Sequence, residues 1–275
     1  MKKLLLLCLL LGVSIGAFAQ VDTLSPITPP LRRSPFVRDM ERITSSRAYR
    51  ITYIGVPLIV AGLVVQERDR GFRHLRNDYV PSFRLHYDDY LQYAPAALML
   101  GLKIGGVRGR SSWGRMLVSD AFSVALMAGA VNSLKYTCRM PRPDGSNNKS
   151  FPSGHTATAF MAATMLHKEY GGRSPWYSIA GYSMATVTGV SRMLNNKHWL
   201  SDVLVGAGIG ILSVELGYLF ADLIFKERGL TEFEQDFFYD RYCRPSFFGM
   251  EVSTEVVMGL SLIHISEPTR RVVIS

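Results

Sequence analysis

Charge is scarce in this 275-residue chain: Asp, Glu, Lys and Arg make up 19% of it, against 48% for apolar side chains. The mean hydropathy of +0.12 falls between soluble enzymes and polytopic membrane proteins, and the apolar residues come in blocks, which favours the membrane class. Cysteine is scarcer still. Outside the first 19 residues only Cys138 and Cys243 remain, enough for one disulfide in an oxidising compartment or for two unrelated thiols. No cluster of Asp, Glu and His has the spacing of metal ligands, so neither a metal nor another cofactor is expected. No run of Lys and Arg interleaved with stacking aromatics supports nucleic acid as a partner. No internal repeat is visible. The formal charge is +9, and +6 once the terminal segments described next are set aside. That excess suits anionic lipid surfaces or phosphorylated molecules.

What is present begins with a leader. Met1-Lys2-Lys3, an apolar run over residues 4–15 and the small-residue site Ala17-Phe18-Ala19 read as a signal peptide, 1–19, with the mature chain starting near Gln20. At the other end, residues 261–270 match one translated frame of a sequencing adapter. We therefore set 261–275 aside as an artefact and expect the natural sequence to be truncated near Leu260. Residues 20–50 are rich in proline and arginine and read as a tether with an interfacial helix near 36–49. Residues 51–65 are apolar but short of the roughly 20 needed for a crossing. Residues 66–89 carry mixed charge and read as a solvent-facing loop with room for a short helix. Apolar helices are expected over 90–104, 116–134, 156–168, 176–193 and 201–225, and Asp120 and Asn132 should face the bundle interior. Gly206 and Gly210, four apart, read as close helix packing. Residues 226–260 form a C-terminal extension in which 246–260 alternates like a strand. The fold class is all-α, a bundle of about six mostly membrane-embedded helices over 51–225 with polar motifs at the helix ends of one face.

Three motifs carry the chemistry. The first, Lys135-x6-Arg142-Pro143, closes the 116–134 helix and offers a mobile ammonium and a guanidinium that can grip phosphate oxygens. Alone it would equally be a basic helix end favoured by the helix dipole. The second, Pro152-Ser153-Gly154-His155, is a tight turn opening into an Ala-rich helix, whose first amides make an anion site. Many such turns bind nothing. The third is Ser191-Arg192-x5-His198-x3-Asp202. His and Asp four apart on one helix would have Cβ atoms roughly 5–6 Å apart, so the carboxylate could take the Nδ1 proton and leave Nε2 as a nucleophile. By itself this pair also reads as a plain hydrogen bond.

Taken in order, the eleven fixed residues of these motifs give a sequence that resembles the type 2 phosphatidic acid phosphatase superfamily over about 90–225. The resemblance implies that His198 attacks phosphorus, that Asp202 orients it, and that His155 protonates the leaving oxygen and then activates water. It also implies that Lys135, Arg142, Ser153, Gly154 and Arg192 hold the phosphate oxygens, without a metal. The same superfamily includes secreted acid phosphatases and vanadium haloperoxidases. The apolar 116–134 and 201–225 helices weigh against a soluble form, and intact nucleophile and acid weigh against a non-enzymatic lipid-binding protein.

The expected substrate is a lipid phosphate: undecaprenyl diphosphate, phosphatidylglycerol phosphate, phosphatidic acid or the phosphates of lipid A. The expected place is a bacterial envelope membrane, with the site facing the periplasm. The basic turns at 105–115, 168–173 and 226–228 favour lying inside, which puts the motifs outside. A cleaved signal followed by three full spans before Lys135 would put them inside. The expected resolution is that 51–65 does not cross fully.

Overall fold

A computed structural model describes residues 44, 46–226 and 228–230. The chain divides into two units, 1–40 and 41–275, and every described residue belongs to the second. The leader, most of the tether, Cys243, the strand-like 246–260 stretch and the adapter-like segment lie outside the described residues. The fold is all-α: α1 Arg47–Thr52, α2 Gly55–Val65, a 3-10 turn Gln66–Arg68, α3 Asp69–Tyr79, α4 Asp88–Leu91, α5 Ala94–Ile104, α6 Trp113–Cys138, α7 Gly154–Tyr170, α8 Pro175–Leu194 and α9 Leu200–Phe225. Among the described residues there is no strand, only an isolated bridge between Ser111 and Leu230.

α9 is apolar around its whole circumference, as a helix enclosed by others must be. It packs against α2, α6 and α7, and α7 packs in turn on α5 and α8. Close approach is possible because α9 lacks side chains at the contacts. A Cβ on Gly206 would lie 2.6 Å from the Ser153 carbonyl oxygen, and one on Gly208 would lie 2.6 Å from that of Gly55. Met127 and Val131 of α6, Met161 and Met165 of α7 and Val205 and Ile209 of α9 fill the core between these helices.

α6 and α9 each have 26 residues. At 1.5 Å per residue each is about 39 Å long, more than the roughly 30 Å of bilayer hydrocarbon. Both are apolar enough to cross. Large apolar side chains remain exposed on α2 (Leu63, Val64), α6 (Leu117, Val124), α8 (Ile179, Val187) and α9 (Leu223, Ile224).

Two expectations need correction. Asn132 lies on the exposed side of α6, whereas Asp120 is half-buried and accepts a hydrogen bond from the Tyr218 hydroxyl at 3.3 Å. The 66–89 stretch is not merely a solvated loop: Asp69 and Asp88 are both buried. The 51–65 block covers the end of α1 and the whole of α2. Tyr53 and Ile54, between α1 and α2, have right-handed helical dihedrals.

Candidate functional site

Helix direction gathers the three motifs at one end of the bundle. α6 and α8 finish there, and α7 and α9 start there. α6 stops at Arg139, whose φ of 42° is in the left-handed region, and Pro141 and Pro143 prevent the helix from resuming. The loop then folds on itself. Arg142 N–H donates to the Asn147 carbonyl at 2.9 Å, and Ser150 N–H donates to the Met140 carbonyl at 3.0 Å. Two contacts tie this loop to the third motif: Lys197 Nζ pairs with Asp144 at 2.8 Å, and Trp199 Nε1 donates to the Pro141 carbonyl at 2.9 Å. Asp144 is partly buried, which would raise its pKa, but hydrogen bonds from Lys197 and Ser146 hold it down at about 2.

The turn Phe151-Pro152-Ser153 has a cis peptide bond before Pro152 and enters α7 with Ser153 as its N-cap. Ser153 is fully buried, and its N–H donates to the Asp202 carbonyl at 3.0 Å, joining the start of α7 to the start of α9. Gly154 is the first residue of α7, and a Cβ there would stand 3.5 Å from Lys135 Nζ. The bare backbone thus leaves the helix N-terminus open beside an ammonium, a favourable arrangement for an anion.

His198 belongs to the turn before α9, not to the helix, and Asp202 is in the first turn of α9. The pair therefore meets across a helix start, and the assumption of one continuous helical face is corrected. His198 Nδ1 lies 3.4 Å from Asp202 Oδ2, and both side chains are buried. No formed hydrogen bond joins them: Nδ1 has no partner among the described residues, and Oδ2 accepts instead from Trp199 N–H at 2.9 Å and from the Ser150 hydroxyl. Catalytic hydrogen bonds are often long before substrate binds. Burial, reinforced by the Arg142 and Arg192 cations, pushes His198 down to about 4 against the opposing pull of Asp202. Its imidazole is neutral at physiological pH, the form a nucleophile needs.

Around this histidine the cations crowd. Burial and the neighbouring Arg192 cation lower the pKa of Arg142. Arg142 Nε and Arg192 Nε are buried without hydrogen-bond partners among the described residues. Such orphaned guanidinium donors are rare in folded proteins, and phosphate oxygens would satisfy them.

Sequence reading missed the carboxylates that answer these cations. Asp88, almost fully buried, accepts from Arg192 Nη1 at 2.8 Å. Asp89 Oδ1 lies 2.9 Å from His155 Nε2 and 3.3 Å from Arg192 Nη1. Burial and Arg192 lower the pKa of His155, and Asp89 and Asp88 pull it back up. Asp69 was also missed: it accepts from Ser201 N–H at 3.0 Å and so caps α9 from another helix. Nothing local distinguishes these three from the other charges of 66–89. Among the described residues no group of three or more His, Cys, Asp or Glu side chains is arranged to hold a metal.

Residues 117–225 match the family model described as PAP2 superfamily. A lipid A 1-phosphatase of Porphyromonas gingivalis is 52% identical over 173 residues, which are 62% of this chain and 39% of that protein. The chain thus spans well under half the length of this curated relative. Among solved structures, LpxE of Aquifex aeolicus is 24% identical with a TM-score of 0.41, covering 52% of this chain and 92% of its own. A PAP2-type phosphatidylglycerolphosphate phosphatase from Bacillus subtilis is 20% identical with a TM-score of 0.39, covering 62% and 98%.

Proposed function

We propose that this chain, whose residues 117–225 match the PAP2 superfamily model, hydrolyses a phosphate monoester or diphosphate on a membrane lipid, without a metal, through a phosphohistidine. One observation carries this reading. A buried, neutral His198 facing Asp202 at 3.4 Å lies among Arg142 and Arg192, whose Nε donors are buried and unpartnered. In the proposed reaction His198 Nε2 attacks phosphorus as the bond to the leaving oxygen breaks. His155 gives that oxygen its proton. Water then attacks the phosphohistidine, His155 takes the water's proton, and phosphate leaves with His198 restored. Lys135, Arg142, Arg192, Ser153 and the Gly154 amide hold the equatorial oxygens, where charge accumulates in the transition state.

Among the four candidate lipids the phosphates of lipid A come first, since the relative named a lipid A 1-phosphatase is 52% identical over the shared region. Exposed apolar side chains on α2, α6, α8 and α9 favour an integral membrane protein over the secreted acid phosphatases of the superfamily. The site is taken to face the periplasm.

Phosphate release from the four lipids by purified protein tests the substrate class. His198→Ala and His155→Ala proteins should each lose about 10³-fold or more in kcat while keeping the wild-type melting temperature. Turnover near wild type by either would reassign its role. Activity in excess EDTA should persist, and a loss restored by Mg²⁺ would refute the metal-free step.

A further inference from the structure

Adjoining the reaction site at Arg192, which lines both, is a cavity of about 420 Å³ between the 80–87 connection and the 194–197 turn. Its walls are fixed. Asn195 donates to the Leu85 carbonyl at 2.6 Å and accepts from Leu85 N–H at 3.0 Å. Arg76 Nε donates to the Leu194 carbonyl at 2.8 Å, and its Nη2 donates to that of Phe83 at 3.3 Å.

The charges lining this cavity do not cancel. Arg192 is answered by Asp88 and Lys197 by Asp144, both at 2.8 Å. Arg76 and Arg84 have no carboxylate partner among the described residues: Arg76 bonds only neutral acceptors, and the exposed Arg84 side chain makes no hydrogen bond or ion pair. His86, also exposed, adds a further donor. Two uncompensated guanidiniums in a cavity with fixed walls favour an anion with several acceptor oxygens. The volume is that of a small-molecule site and admits the group bearing that anion as well.

We propose that this cavity is a second phosphate site, sharing Arg192 with the reaction site and specific for lipids whose headgroup carries two phosphates. This rests on reading the reaction site as a lipid-phosphate hydrolase. The same chemistry could also be met by inorganic phosphate from solution, and the test separates the two.

Full-length protein in neutral detergent micelles is assayed on phosphatidic acid, with one phosphate, and on a disaccharide lipid phosphorylated at both ends. In the Arg84→Ala/His86→Ala protein the preference for the two-phosphate lipid, as a ratio of kcat/KM values, should fall about tenfold, through KM. A second arm needs no turnover. Calorimetric titration of His198→Ala protein with inorganic phosphate, with and without the Arg84/His86 pair of substitutions, counts the bound anions. Two sites falling to one, with the lipid preference unmoved, would support the site but assign it to free phosphate. An unchanged preference together with unchanged phosphate stoichiometry would overturn the proposal. If wild-type protein turned over neither lipid while the titration still lost one site, the reaction reading would fail and the second site would stand.

Discussion

At the scale of single residues the site holds two histidines whose tasks need opposite protonation states. His198 must be neutral to attack, so kcat/KM should rise as pH climbs through about 4. His155 must carry its proton to donate it, and its pKa lies below the ordinary 6.5, so kcat/KM should fall again before neutrality. The expected profile of the free protein is a bell with an acidic optimum. Asp89 affects one limb only. Its carboxylate touches both His155 and Arg192, the groups a phosphate oxygen would approach, and its negative charge helps to raise the pKa of His155. In an Asp89→Asn protein the alkaline limb should move to lower pH. The acid limb should stay, because Asp202 is the carboxylate that opposes burial at His198. Removing the competing negative charge should also lower KM by about three- to tenfold. A pH–rate series on both proteins checks this, and an unmoved alkaline limb would show that Asp89 does not govern His155.

At the scale of elements, α9 positions the site because its small residues let three helices close upon it. Gly208→Ala would drive a Cβ to within 2.6 Å of the Gly55 carbonyl oxygen and 3.1 Å of Ile59 N, both backbone atoms that cannot rotate away. The expected cost is about 1–3 kcal/mol, read as a lower melting temperature in detergent. Gly71→Ala on α3 is the contrast: a Cβ there meets nothing within 4 Å, so the helix should gain up to about 1 kcal/mol. Equal melting temperatures for the two variants would mean that α2 and α9 do not rely on this contact. The helices themselves were legible in the sequence because apolar blocks, capping serines and prolines are local signals, and Ser153 caps α7 as expected. Gly206 and Gly210 could be recognised as packing positions for the same reason. Asn132 could not be placed, since the even apolarity of α6 leaves no periodicity to say which side faces inward. Asp69, Asp88 and Asp89 escaped because their partners Ser201, Arg192 and His155 are 132, 104 and 66 residues away. Only the path of the chain brings them together, and a charged connection looks the same whether it is solvated or folded under a site.

At the scale of the whole molecule, the bundle has two ends, one carrying the motifs and the other three basic turns. The turns at 105–115, 168–173 and 226–228 meet at the end opposite the motifs. There Arg110 pairs with Asp222 at 2.9 Å, Arg115 donates to the carbonyls of Lys226 and Arg228 at 2.7 and 2.8 Å, and Arg110 N–H donates to the Glu169 carbonyl at 2.9 Å. Basic connections are retained on the cytoplasmic side, so we propose that this end lies inside and the motifs outside. A count of three full spans before Lys135 would put the motifs inside, and the expected resolution is that 51–65 does not cross fully. At 11 residues α2 is about 16 Å long, short of the roughly 30 Å of bilayer hydrocarbon. Ser146 decides between the alternatives, because it is exposed in the loop that carries Arg142 and Asp144. A Ser146→Cys protein with Cys138 and Cys243 replaced by Ser should react with a membrane-impermeant maleimide in intact spheroplasts as fully as after lysis. Labelling that appears only after lysis would invert the bundle. His155 and His198 would then act on lipids of the inner leaflet, and the periplasmic assignment would fall while the chemistry at the helix ends stood unchanged.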